Sequence, residues 1–80
     1  MTLEILTPDK KVFEGEVSAV TVPGILGSFQ ILKDHAPIIS TLEDGAVIVK
    51  SKTGEDTFII KGGVVEVIKN KIVVLAEGVA

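Results

Sequence analysis

The sequence predicts an all-β protein, an antiparallel β-sandwich or flattened barrel of two sheets with about ten short strands. Three observations predict it. Aliphatic and β-branched residues recur in short runs. Glycine and proline punctuate those runs closely. No segment sustains a helical period.

The elements follow in chain order. "TLEIL" alternates, with Leu3 and Ile5 on one face and Thr2 and Glu4 on the other. Pro8-Asp9 signals a turn. "KVFEGEVSAVTV" reads as two short strands around Gly15. "PGILG" is a tight loop, where Pro23 fixes φ and Gly24 and Gly27 admit positive φ. "SFQIL" is a strand with Phe29 and Ile31 on one face. "HAPIISTLEDG" is the best helical candidate, and Pro37 limits any helix there to about one turn. "GAVIVKS" and "DTFIIKG" flank the Lys52-Thr53-Gly54 turn as a hairpin. Gly62-Gly63 suits a bulge or sharp turn. "VVEVI" and "IVVLA" form a second hairpin around Lys69-Asn70-Lys71, where Asn70 suits a left-handed conformation.

One pattern is unusual for a sheet with a wet face. Val64, Val65, Val67 and Ile68 fall on both faces of their strand. So do Ile72, Val73, Val74 and Leu75. Either loops fold over the outer face, or another subunit packs there. The short chain favours a partner. A domain of 80 residues without cysteine has no disulfides or thiolate metal site to support a small core.

Composition narrows the function classes. The net charge is −3, and all eight basic residues are lysine. Arginine is the usual reader of phosphates and base edges, so nucleic-acid binding is disfavoured. The scattered lysines make no membrane-surface patch. No signal peptide opens the chain, and no apolar run approaches the ~20 residues that span a bilayer.

No catalytic constellation emerges. Asp34-His35 invites an acid–base reading. Adjacent residues of an extended chain point apart, however, and a lone histidine before Ala-Pro suits a turn or a contact. Metal ligation has one histidine and no cysteine to work with. Glu43-Asp44 and Glu55-Asp56 lack calcium-loop spacing. No phosphate loop follows Gly62-Gly63, and no nucleophile elbow is present. The reading therefore carries no cofactor, no metal and no enzymatic activity. A competitor of another class is a lipoyl- or biotinyl-type carrier domain, also small, acidic and all-β. Lys33 in Leu32-Lys33-Asp34 is its nearest modification site, although the neighbours are in the wrong order.

The run "PGILGSFQILKDHAPIISTLEDG", followed by "FIIKGGVVEVIKNKIVVLAE", resembles a known family. It is similar to the N-terminal β-sandwich domain of the epsilon subunit of F-type ATP synthases. The resemblance rests on Gly27, Ile31, Leu32, His35-Ala36-Pro37, Gly62-Gly63, Glu66-Val67 and Leu75-Ala76-Glu77, and it covers essentially the whole chain. Gln30 departs from a usual glycine, Lys33 from a usual proline, and Ser28 from an acidic residue found in some members.

The resemblance implies a single β-sandwich domain over residues 1–80 in a short form lacking the C-terminal helical hairpin of longer members. It implies a non-catalytic rotor subunit that links the gamma subunit to the membrane c-ring and couples proton flow to ATP synthesis. Such a subunit lies at the cytoplasmic face of the bacterial inner membrane, peripherally, within the complex. By position, Gly24, Gly27, Ser28, Lys33, Asp34 and His35 are expected to face the c-ring. Ala36, Pro37, Ile39, Leu42 and Ala46 are expected to form a small apolar surface against gamma, with ordinary core as the alternative for Ile39 and Leu42.

Overall fold

A computed structural model describes residues 1–80. Eight strands make up the chain: β1 (Thr2–Leu6), β2 (Lys11–Glu16), β3 (Ala19–Val22), β4 (Phe29–Leu32), β5 (Ile38–Leu42), β6 (Gly45–Ser51), β7 (Gly54–Ile68) and β8 (Lys71–Val79). They run in the order β2-β1-β8-β7-β6-β3-β4, with β5 also paired to β7.

The all-β class and the sandwich stand, with two differences. The strands number eight rather than about ten. "DTFIIKG" and "VVEVI" are one strand, because β7 runs through Gly62-Gly63. These two glycines have φ of 48° and 135°, so the chain bends there without ending its ladder. Gly15 does not divide its segment either; the break comes after Glu16. The second difference is that β1 pairs with β8 in parallel, while the other pairings are antiparallel.

The bend in β7 makes the two layers. Its first half pairs with β6, and β6 leads on to β3 and β4. Its second half pairs with β5 on one side and β8 on the other, and β8 leads on to β1 and β2. "HAPIISTLEDG" supplies β5 and contains no helix. Its Ile38, Ser40 and Leu42 alternate toward the inside, and Pro37 stands just before the strand, where its missing N–H costs no ladder bond.

Between the layers lies one apolar core. Leu3 and Ile5, Val20 and Val22, Val47 and Val49, Val65 and Val67, and Ile72 and Val74 all belong to it, each pair two residues apart on its strand. Burying each such side chain contributes about 1.5–3 kcal/mol. Phe13 of β2 and Phe58 of β7 meet across the layers, centroids 5.5 Å apart and tilted by 59°, and pack against this core. No polar or charged residue is buried.

The hairpin expectations hold locally. β6 and β7 flank Lys52-Thr53 in regular register. Lys69 and Asn70 both take positive φ, 48° and 61°, which is the backbone of a type I′ turn.

Candidate functional site

The candidate contact residues lie on two loops and two strands. The first loop connects β3 to β4. Gly27 N–H donates to the Gly24 carbonyl at 2.9 Å, which closes a turn with Ile25 and Leu26 at its tip. Leu26 is fully exposed at that tip. Gly27 has a φ of 129° and open space around it, as its place in the loop requires. Ser28 is exposed beside it.

Gly24 corrects an expectation. It is buried and does not present itself to a partner. Its φ is not positive either. A Cβ there would lie 2.7 Å from the Gly27 oxygen and 2.8 Å from the Phe29 ring, so glycine is required for space. A bridge from Gly24 to Leu42, with Ile25 N–H donating to the Thr41 carbonyl at 3.1 Å, fastens this loop to β5.

The second loop, between β4 and β5, carries Lys33, Asp34, His35, Ala36 and Pro37. His35 N–H donates to the Leu32 carbonyl at 3.2 Å, so Lys33 and Asp34 are the central residues of a turn. Asp34 has a φ of 64°. Its main-chain N–H donates to Asn70 Oδ1 at 2.7 Å, and Asn70 Nδ2 donates back to Asp34 Oδ1 at 2.9 Å. His35 Nδ1 lies 2.7 Å from the Ala36 carbonyl, an acceptor only, so Nδ1 carries the proton. Asp34 and His35 thus face different partners and form no catalytic pair. Lys33, Asp34, Ala36 and Pro37 are exposed, and His35 is half-buried.

The apolar surface expected around Ala36 divides. Ile39 is 73 % exposed on the outer side of β5, paired with Glu66 of β7. Leu42 is 2 % exposed and belongs to the core, three residues along the same strand, where alternation turns it inward. It is therefore no part of a docking surface. Ala46 is half-buried on the outer side of β6, opposite Ile59. It stands on the other layer from Ile39 and does not extend the same patch.

Ile25 and Leu26 are exposed apolar side chains that the sequence pattern did not mark. Ile25 and Leu26 stand near Ile39 at one end of the sandwich, and all three border one shallow hollow. Pro37, Ile39 and Ile68 border a second. Leu75 is half-exposed on the outer face of β8, opposite Val64 of β7. No loop covers these strands, so the two-faced valine and isoleucine pattern reflects an open apolar outer face. That pattern was the available signal for Leu75 and Ile68. Ile25 and Leu26 were hidden inside a glycine-bounded loop.

Charge gathers on the outer face of β1 and β2. Lys11 Nζ lies 2.9 Å from Glu14 and 3.4 Å from Glu4. Hydrogen bonding to Glu14, then to Glu4, holds the Lys11 ammonium above its ordinary value. Lys11 and Glu14 are exposed and Glu4 is half-buried, and together they form a solvated network at the edge of the sheet. No group of three or more His, Asp or Glu side chains gathers to hold a metal.

This fold and sequence have known relatives. Residues 1–80 match the family described as ATP synthase, Delta/Epsilon chain, beta-sandwich domain. The chain belongs to that family. It is 48% identical over 80 residues to an ATP synthase epsilon chain of Chlorobaculum tepidum, spanning 99% of this chain and 91% of that one. It is 41% identical over 88 residues to an ATP synthase epsilon chain of Salinibacter ruber, spanning 59% of that longer relative. A chain in the cryo-EM structure of the Euglena gracilis mitochondrial ATP synthase, OSCP/F1/c-ring, shares the fold with a TM-score of 0.89 at 22% identity, over 98% of this chain and 51% of that one. A chain in the Tetrahymena thermophila mitochondrial ATP synthase central stalk/c-ring structure gives 0.85 at 19% identity, over 99% of this chain and 64% of that one. Membership of this family replaces the carrier-domain alternative for Lys33. No helix is long and apolar enough to cross a membrane.

Proposed function

We propose that the chain is a non-catalytic central-stalk subunit of an F-type ATP synthase. In this reading it joins the gamma subunit to the c-ring and turns with them as proton flow drives ATP synthesis. It resides at the cytoplasmic face of the bacterial inner membrane, held there by the complex. The observation that carries the reading is the family match along residues 1–80. The open apolar outer face is what a partner-covered subunit requires. The bacterial relatives support the location.

The loop of Gly27 and Ser28 and the turn of Lys33, Asp34 and His35 are assigned to the c-ring. Ala36, Pro37, Ile39 and Ala46 are assigned to gamma, with Ile39 as the main apolar anchor because it is a large apolar side chain standing open to solvent. The test is binding of the purified chain to the cognate gamma subunit. Stoichiometric binding is expected, and Ile39→Glu is expected to abolish it while the melting temperature stays near that of the unaltered chain. Full retention of gamma by Ile39→Glu would remove Ile39 from the interface. Failure of the unaltered chain to bind gamma would overturn the reading as a whole.

A further inference from the structure

We propose that Asn70 is a positioning residue that locks the Lys33-Asp34-His35 turn into its docking shape before any partner arrives. The proposal rests on the docking reading of that turn and adds the device that holds it.

The geometry is specific to one side chain. Asn70 is the only asparagine in the chain. Its backbone sits in the β7–β8 turn at a φ of 61°. Its carbonyl accepts from Thr2 N–H at 3.0 Å, which ties that turn to β1. Its amide spans to the other loop with both of its functions. Oδ1 accepts from the main-chain N–H of Asp34 at 2.7 Å, and Nδ2 donates to Asp34 Oδ1 at 2.9 Å. An amide is required for this, since it alone offers an acceptor and a donor side by side at that length.

The held residue is one that resists its own conformation. Asp34 has a φ of 64°, a region that non-glycine residues visit at a cost. The turn has lysine rather than proline before it, so φ is not fixed there covalently. Its internal hydrogen bond, from His35 N–H to the Leu32 carbonyl, is long at 3.2 Å. The clasp to Asn70 supplies the missing constraint from outside the loop. A loop already in its bound shape is spared the ordering cost when it docks. A loop that reaches that shape only part of the time binds more weakly by that fraction.

Two substitutions separate the clasp from the turn and from the charge. Asn70→Gly keeps a residue suited to positive φ in the β7–β8 turn and deletes only the amide. Asp34→Asn keeps both clasp bonds and deletes only the charge. The experiment measures the affinity of each chain for the cognate gamma–c-ring rotor, the melting temperature, and amide hydrogen exchange at Asp34 and His35. Asn70→Gly is expected to weaken binding about tenfold, at an almost unchanged melting temperature, with faster exchange at both amides. Asp34→Asn is expected to keep slow exchange at both amides, because both clasp bonds remain. Wild-type affinity for Asn70→Gly overturns the proposal and leaves the docking reading intact. So does exchange at Asp34 and His35 that Asn70→Gly leaves unchanged, or that Asp34→Asn raises as much as Asn70→Gly does, which would make the charge what holds the turn. No binding by the unaltered chain overturns the docking reading and this proposal together.

Discussion

At the scale of single residues, glycines divide by what they are required for. Gly63 needs both its backbone and its empty side. Its φ is 135°, and a Cβ there would run into the Leu75 carbonyl and lie 2.9 Å from Ala76 Cα, both in the β8 backbone. Gly27 needs only its backbone, because nothing lies within 4 Å of where its Cβ would be. Gly27→Ala is therefore expected to cost about 1–3 kcal/mol from conformation alone. Gly63→Ala adds a further ~1–3 kcal/mol as two strands are forced apart. Urea unfolding of the two variants measures the difference, and equal losses would remove the close approach from the account. The sequence made the Gly62-Gly63 bend legible, since paired glycines inside a strand pattern signal one. It could not show why Gly24 is glycine. Its neighbours in space are the Gly27 oxygen and the Phe29 ring, and their approach depends on how the loop folds back.

At the scale of elements, β5 was the least legible. "HAPIIST" puts two isoleucines side by side, so neither a two-residue nor a helical period stands out. Pairing with β7 resolves it, directing Leu42 inward and Ile39 outward. The hairpin strands were legible because their turns carry the residues that such turns demand, Gly54 in one and Asn70 in the other. The division of β5 is open to measurement by truncating each side chain. Leu42→Ala is expected to destabilise the domain by about 2–5 kcal/mol, as a buried leucine that leaves a cavity. Ile39→Ala is expected to stay within about 0.5 kcal/mol, because its side chain already faces water. Shifts in urea midpoint at constant slope would report both, and comparable losses would mean that Ile39 is packed as core.

At the scale of the molecule, the parallel pairing of β1 with β8 decides the cooperativity. β8 stands between β1 and β7, so the layer built on it requires both ends of the chain. Pairing signals of this range are absent from local sequence. Leu3 and Ile5 announce a half-buried strand, but nothing near them names Ile72 and Val74 as neighbours. The other layer is no more independent, since β7 passes through both. Neither layer therefore offers a sub-structure that closes its own core. The domain is expected to unfold in one step, with folding on the order of milliseconds to seconds because its contacts join distant parts of the chain. Stopped-flow measurement across a urea series tests this, with V-shaped kinetics and no missing amplitude as the expected result. A populated intermediate, or a folded core in a fragment of residues 1–70, would show that one layer stands alone. A single cooperative unit also suits the proposed place in a rotor. If the domain unfolds in one step, force applied at the Lys33–Pro37 loop meets strands that yield only together.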